Sequence, residues 1–327
     1  MRVQKSVSLD SLCEMLTGLK QQEGIDPWRS KLRALSKAIS FVENEPHFAP
    51  ELLSHSLLQN LSSKGRIVGI TGLPGAGKSS LTNLIIKELR AVQKSVAVFA
   101  VDPSSSQSGG ALLGDRIRMQ EHFQDPQVYI RSQGARGALG GVARATRNSI
   151  RLASLLGFDY ILVETVGIGQ SESEIIDIAD TSILVLMPHS GDEIQLLKAG
   201  ILQLANIYII NKCDLGDPSR MVQEIEENTM PTDPGQWIPR VLKTSTLDSS
   251  GIERLVAAFL EHEEFELKQP KGNKNAVERV KKEILQNLLI LMENEYKPCI
   301  EKLNEKILND VFYGKVTAMM VAKSMIK

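Results

Sequence analysis

Hydrophobic residues change their spacing twice along this chain. From residue 8 to about 62 they recur at helical intervals, in LDSLCEMLTGL, WRSKLRALSKAISFVE and APELLSHSLLQNL, with Pro27 and Pro46 as punctuation. Short apolar runs rich in β-branched residues then alternate with amphipathic stretches: RIVGIT, SVAVFAVD, YILVE, SILVLM, NIYIIN and RVLKTS. After residue 262 only the helical spacing continues. The pattern predicts an α/β fold in which a mostly parallel, doubly wound sheet follows a helical prefix.

These changes divide the chain into three predicted regions. We expect a helical extension over 1–62, an α/β domain over 63–267 and a helical arm over 268–327 that begins with the linker KQPKGNK. Pro298 is expected to interrupt or kink the long helix of the arm. That helix carries apolar residues on adjoining faces, namely Ile284, Leu285, Leu288, Leu291 and Met292. They either pack on the chain's own domain or form a dimer contact.

Composition narrows the class of protein. The formal net charge is -1 and aromatic residues make up 5%, which favours neither a nucleic-acid surface nor a base-stacking platform. Three cysteines without CxxC spacing indicate neither a disulfide framework nor a zinc site. The N-terminal residues do not resemble a signal peptide, and no run approaches the roughly 20 apolar residues of a membrane span. We expect a cytoplasmic protein that binds neither membrane nor nucleic acid.

The segment GLPGAGKSS lies between a predicted strand and a predicted helix. It fits the Gly-x4-Gly-Lys-Ser pattern of a phosphate-binding P-loop, whose glycines let backbone N–H groups turn toward phosphates at a helix N-terminus. Lys78 is predicted to reach the β- and γ-phosphates, and the Ser79 hydroxyl to hold Mg²⁺. The predicted phosphate-binding residues are Gly72, Leu73, Pro74, Gly75, Ala76, Gly77, Lys78, Ser79 and Ser80.

The segment INKCD, directly after another predicted strand, indicates which base is bound. Within it, Asn211, Lys212 and Asp214 form an NKxD pattern. A carboxylate at the last position can accept both the N1–H and the exocyclic N2–H₂ of guanine, whereas adenine offers no such donor pair. The sequence therefore predicts GTP rather than ATP. After the next strand, three residues are expected to close over the guanine: Ser245, Thr246 and Leu247.

Acidic residues at strand ends complete the predicted site. Glu164 ends one strand, three residues before Gly167, where small GTPases carry Asp-x-x-Gly. Its longer side chain should still contact Mg²⁺ directly or through water. Asp102 ends another strand, and Asp115 lies in the loop that follows; for one of the two, a surface turn residue is the alternative.

In their order, the motifs TGLPGAGKSS, VDPSS, ETVGIGQSE, GDEIQ and INKCD resemble those of the MeaB/ArgK-type P-loop GTPases, the family of the methylmalonic aciduria type A protein. The resemblance runs from about residue 8 to the end of the chain. It implies a P-loop NTPase fold and a homodimer formed through the C-terminal arm. It also implies a chaperone of an adenosylcobalamin-dependent acyl-CoA mutase, chiefly methylmalonyl-CoA mutase, that gates cofactor loading or protects the mutase.

The resemblance also assigns roles to individual residues. Lys78 and Ser79 would hold phosphate and Mg²⁺. Asp102, Asp115 and Glu164 would surround the metal and the attacking water, with Asp102 and Glu164 as metal ligands. The segment HSGDEIQLLKAG matches the family's partner-sensing region, which makes Gln195 and Lys198 candidates for assisting hydrolysis. An ordinary helix face is the alternative for these two.

Two other functions compete with this interpretation. A metallochaperone GTPase for metal-centre assembly usually carries His-rich tracts or a Cys motif near its site, whereas the five histidines here are not clustered. A protein kinase of a transport system would need a base that positions a protein nucleophile, and the sequence identifies none.

Overall fold

The computed structural model describes residues 8–18, 26–61, 65–102, 119–134, 141–165, 175–176, 178–188, 205–231, 235–269 and 274–326. The chain forms two compact units, Met1–Lys268 and Gln269–Lys327. In the described part of the chain, no helix is both long and apolar enough to cross a membrane.

A seven-stranded sheet forms the centre of the first unit. Its strands are β1 (Arg66–Gly72), β2 (Val96–Asp102), β3 (Val128–Gly134), β4 (Tyr160–Thr165), β5 (Thr181–Leu186), β6 (Ile207–Ile210) and β7 (Arg240–Lys243). The strand order is β3-β2-β4-β1-β5-β6-β7. Every neighbouring pair is parallel. The carboxyl ends of all seven strands therefore lie at one edge of the sheet.

Helices precede the sheet and connect its strands. Among the described residues, four come before β1: α1 (Leu9–Thr17), α2 (Pro27–Asn44), α3 (Ala49–Leu53) and α4 (Ser56–Gln59). The later helices are α5 (Lys78–Ala91), α6 (Gly141–Leu155), α7 (Ser219–Thr229) and α8 (Ile252–Lys268). The N-terminal helices begin at capping side chains: Ser8 accepts from the Ser11 amide, and Asp26 from the Arg29 amide.

The sheet is buried on both faces, and alternate strand residues enter opposite cores. On β2, Val96 and Val98 pack with residues of α5, α7 and α8. Ala97, Phe99 and Val101 point the other way and pack with residues of α1 to α4 and α6. The N-terminal helices therefore cover one face of the sheet, which explains the continuous apolar runs in its central strands.

Two features of the first unit differ from the sequence prediction. β3 was not among the predicted strands; it is an edge strand whose sequence, VYIRSQG, is only partly buried. The third predicted helix is two short helices, α3 and α4. Its break lies at His55, which has an extended backbone and accepts from the Leu57 amide to cap α4.

The second unit is helical. It contains α9 (Lys274–Glu301), α10 (Glu305–Phe312) and α11 (Ala318–Met325). α9 ends three residues after Pro298, near the predicted interruption. Asn304 and Thr317 cap the two short helices by accepting from the amides of Ile307 and Met320.

Candidate nucleotide site

Most of the residues predicted to bind nucleotide follow the carboxyl ends of strands. β1 leads into the P-loop, Glu164 lies near the end of β4, Asn211 follows β6 and Ser245 follows β7 by one residue. In the order β4-β1-β5-β6-β7, the P-loop strand lies beside that of Glu164 and two strand spacings, about 10 Å, from β6. The phosphate and guanine motifs therefore occupy the two ends of one elongated site, as expected for a ligand at this edge.

Two glycines allow the P-loop to approach its neighbours. Gly72 has φ +139°, and a Cβ there would clash with the Val185 carbonyl oxygen of β5. Gly77 has φ +88°, and a Cβ there would clash with the side-chain amide nitrogen of Asn211. A side chain at either position would push the loop away from the strands that support it.

Lys78, the first residue of α5, is folded against the loop that precedes it. Its Nζ donates to the carbonyl oxygens of Gly72, at 2.7 Å, and Leu73, at 2.9 Å. The side chain is buried, so its ammonium group is held where a phosphate would also face the N-terminus of α5. This arrangement suits an anion bound by the loop amides and the lysine together.

A buried carboxylate faces the start of α5. The Ser79 hydroxyl donates to Glu164 Oε1 at 2.6 Å, and the Thr82 hydroxyl lies 3.0 Å from Glu164 Oε2. All three side chains are buried. A hydroxyl and a carboxylate are oxygen donors of the kind that Mg²⁺ prefers, and they meet beside the phosphate loop. The residues therefore fit a magnesium ion, which Ser79 and Glu164 would hold.

Asn211 connects the two ends of the site. Its Nδ2 donates to the Ala76 carbonyl oxygen at 2.8 Å, and its Oδ1 accepts from the Thr244 hydroxyl at 3.0 Å. The backbone amide of Asn211 donates to the Leu186 carbonyl at the end of β5. The side chain is fully buried. One asparagine thus fixes the guanine loop to the P-loop and to the end of β7.

Asp214 stands at the exposed end of the site. The Ser245 hydroxyl donates to Asp214 Oδ1 at 2.8 Å, and the Leu247 amide donates to the Ser245 oxygen at 3.3 Å. The chain reaches Asp214 through Lys212, whose φ of +61° turns the backbone. A solvent-facing carboxylate oriented in this way can accept the paired donors of guanine.

The thiol of Cys213 lies inside the same loop and takes part in its folding. Burial raises the pKa of the Cys213 thiol. The thiol donates to the Ile210 carbonyl at 3.0 Å, while the Cys213 amide donates to the Thr244 carbonyl. Cys213 is therefore a protonated, structural thiol at neutral pH.

Comparison with known proteins identifies the family. The family described as "Methylmalonyl Co-A mutase-associated GTPase MeaB" matches residues 35–297. The chain belongs to the MeaB family. A Pyrococcus abyssi protein named as a GTPase is 42% identical over 257 residues, 77% of this chain and 78% of that protein. This MeaB-family chain is accordingly an enzyme that hydrolyses GTP.

A longer alignment includes the N-terminal and C-terminal helices. The Caenorhabditis elegans protein named "Methylmalonic aciduria type A homolog, mitochondrial" is 30% identical over 363 aligned positions, 99% of this chain and 90% of that protein. Among solved structures, a "LAO/AO transport system kinase" aligns with a TM-score of 0.65 and 20% identity, covering 99% of this chain and 98% of that one. This structural likeness supports the P-loop fold of the MeaB-family chain.

The structure gathers most of the predicted site residues of this MeaB-family GTPase at the carboxyl edge. Asp102 is the last residue of β2, and its backbone pairs with Gly134 on the side away from β4. Ser80 is exposed on α5, and Leu247 is 84% exposed. Three predicted residues lie outside the described part of the chain: Asp115, Gln195 and Lys198.

Two threonines of the site were missed by the sequence prediction. Thr82 contacts Glu164, and Thr244 donates to Asn211. A signal for Thr82 was present, since it is a polar residue on the face of α5 that buries Leu81, Ile85 and Ile86. Thr244 directly precedes the predicted Ser245, and only the fold shows that it turns toward Asn211.

The metal-delivery alternative predicts a cluster of metal-binding side chains. Among the residues whose positions are described, no group of three or more His, Cys, Asp or Glu side chains could hold a metal ion. The oxygen pair of Ser79 and Glu164 beside the P-loop belongs to the nucleotide site.

Proposed function

We propose that this MeaB-family GTPase is Mg²⁺-dependent and acts as a chaperone of an adenosylcobalamin-dependent acyl-CoA mutase of the methylmalonyl-CoA type. In this proposal a homodimer in the cytoplasm binds the mutase, and its nucleotide state gates cofactor loading or protects the mutase. The match of residues 35–297 to a mutase-associated GTPase family carries the proposal. The contact of Lys78 with the Gly72 carbonyl and that of Ser79 with Glu164 support its hydrolytic part.

The proposed chemistry follows from the positions of the side chains. Asp214 would bind guanine, and the P-loop amides with Lys78 would bind the phosphates. Ser79, Glu164 and Asp102 would hold Mg²⁺, which supplies neutralisation of the charge that develops on the β- and γ-phosphate oxygens. Asp115 is proposed to orient the attacking water.

The partner is proposed to act through residues 189–200. Gln195 and Lys198 belong to that segment, and a partner that positions them beside the nucleotide would accelerate hydrolysis. Binding must be reciprocal: if GTP tightens the complex with the mutase, the mutase tightens GTP by the same factor.

The test measures GTP turnover with and without a purified cobalamin-dependent methylmalonyl-CoA mutase. It also compares the affinity of the complex in GDP and in a non-hydrolysable GTP analogue. The proposal expects faster turnover with the mutase and different affinities in the two nucleotides. Lys78→Ala is the matched control, because it removes a phosphate contact and should abolish both effects.

Several outcomes would contradict parts of the proposal. Unchanged turnover together with equal affinities would defeat the chaperone role and leave the GTPase activity standing. Full turnover in the presence of EDTA would defeat the magnesium requirement. Cell fractionation that finds the protein outside the cytoplasm would defeat the proposed compartment.

A further inference from the structure

Two hydroxyl groups contact the Glu164 carboxylate, and only one of them belongs to the phosphate-binding motif. Ser79 contacts Oε1 at 2.6 Å, and Thr82 contacts Oε2 at 3.0 Å. Residues three apart lie on the same face of a helix, so α5 presents both hydroxyls to the end of β4. Thr82 has 0% exposure and Glu164 has 1%, so water does not compete for these bonds.

The Thr82 hydroxyl has a choice of two acceptors. It lies 2.9 Å from the Lys78 carbonyl oxygen, one helical turn back, and 3.0 Å from Glu164 Oε2. It carries one proton and can donate to only one of them at a time. In a regular helix the Lys78 carbonyl already accepts from the amide of Thr82. An ionised carboxylate is also the stronger acceptor, so the proton goes to Glu164.

We propose that Thr82 is a positioning residue that fixes the Glu164 carboxylate for metal binding. This inference rests on the magnesium-dependent GTPase proposed above. Ser79 and Glu164 are both candidate metal ligands, so the bond between them does not by itself fix either group. Thr82 is outside the ligand set, and its contact with Oε2 sets the direction in which Oε1 points. Thr82 thereby controls metal affinity without contacting nucleotide or metal.

The decisive variant is Thr82→Val, which replaces the hydroxyl with a methyl group of similar size. The Mg²⁺ concentration at half-maximal GTP hydrolysis should rise, and kcat should fall, with a combined effect of about 10-fold or more. A fluorescent GDP analogue gives a second readout. Its affinity in EDTA should match the wild type, while the gain in affinity on adding Mg²⁺ should shrink. Thr82→Ser keeps the hydroxyl and should restore both quantities.

Thr181→Val is the matched control for the loss of a buried threonine hydroxyl. Thr181 contacts His262 at 2.8 Å, at the start of β5 and therefore at the opposite edge of the sheet. This variant should leave the Mg²⁺ dependence unchanged even if it lowers the melting temperature. If Thr82→Val does not fold, Thr82→Ala carries the same expectation.

Three results would overturn the role of Thr82. Wild-type Mg²⁺ dependence in Thr82→Val would do so, and so would a Thr82→Ser variant as defective as Thr82→Val. A wild-type enzyme whose turnover and GDP affinity do not respond to Mg²⁺ would overturn the magnesium site itself, and the role of Thr82 with it. The first two results leave the magnesium-dependent GTPase standing, so the two failures are distinguishable.

Discussion

Asn211 joins two loops that stand 135 positions apart in the chain. Its side-chain amide nitrogen donates to the Ala76 carbonyl in the P-loop, and its side-chain oxygen accepts from the Thr244 hydroxyl after β7. A buried amide with both ends occupied is costly to replace, because each former partner loses its hydrogen bond. The residue therefore couples the stability of the fold to the shape of the nucleotide site.

Asn211→Ala should lower the free energy of unfolding by about 1–3 kcal/mol, since it leaves buried partners unsatisfied. It should also weaken GDP and GTP binding alike, because the P-loop loses its support. Chemical denaturation and titration with fluorescent nucleotides measure the two effects. Asn206→Ala is the control: Asn206 accepts from the Ser182 amide and hydroxyl near the opposite edge. Its loss should cost stability only, and weakened nucleotide binding in both variants would contradict this account of Asn211.

Asp214→Asn should change the base that the enzyme prefers. The carboxylate is proposed to accept two guanine donors, whereas an amide would donate on one side and could pair with the 2-oxo group of xanthine. GTP affinity should fall while xanthosine triphosphate affinity rises, as measured by competition against a fluorescent nucleotide. The Ser245 hydroxyl can still donate to the amide oxygen, so the fold should persist. Equal affinity of the wild type for ATP and GTP would contradict the assignment.

The candidate residues that the sequence alone could suggest are those in motifs whose spacing along the chain is fixed. A P-loop needs its glycines, lysine and serine at fixed intervals, and Lys78 and Ser79 accordingly lie together at the start of α5. Thr82 and Thr244 have no such interval, because each acts on a residue brought close by the sheet. Contacts between residues far apart in the chain cannot be predicted from local sequence patterns.

Among the elements, the sequence prediction missed the edge strand β3 and the division of one predicted helix into the short helices α3 and α4. β3 has a neighbour on one side only, so it keeps polar residues such as Arg131 and Gln133 and lacks an apolar run. These residues bind Glu43 of α2, which shows why the strand tolerates them. The central strands are covered on both faces, and their continuous apolar sequences made them easy to predict.

α5 follows the P-loop and also forms ion pairs with the turn before β3. Lys87 pairs with Glu121 at 2.9 Å, and Arg90 pairs with Asp125 at 2.7 Å. His122 is buried between these pairs, and burial lowers its pKa although the neighbouring Glu121 opposes the shift. The neutral imidazole is therefore the form that this turn accommodates.

Acidification should destabilise the protein through His122. Its folded pKa lies below the usual value of about 6.5, so the unfolded chain takes up the proton first and stability falls as pH drops below that value. His122→Gln should show a smaller loss of melting temperature between about pH 7.5 and 5.5. Glu121 and Asp125 have lowered pKa values and act at lower pH. The exposed His47, changed to Gln, is the control, and a His122→Gln variant that keeps the full wild-type loss would refute the idea.

At the scale of the whole molecule, the helices of the second unit do not by themselves cover the apolar face of α9. Between residues 280 and 291 of α9, six large apolar side chains whose burial is described are 51% to 62% exposed: Val280, Ile284, Leu285, Leu288, Leu289 and Leu291. Soluble monomers rarely present so many adjacent large apolar side chains. The two alternatives from the sequence, packing on the chain's own domain and a dimer contact, both remain predictions for this face.

Charges placed on this apolar face should convert the proposed homodimer into a monomer. Ile284→Asp and Leu288→Asp each bury a carboxylate at the proposed interface, which costs several kcal/mol unless it is paired. Light scattering coupled to size exclusion should show half the wild-type mass, while GTP affinity at the separate nucleotide site stays unchanged. Lys297→Glu is the control, because Lys297 lies on another face of α9: 13 residues at 100° each place it about 220° around the helix from Ile284. This control changes the net charge by more than either aspartate variant does. A monomeric wild type, or a dimer that survives both aspartates, would contradict dimerisation through the arm. Either result would favour the alternative from the sequence, in which the apolar face packs within one chain.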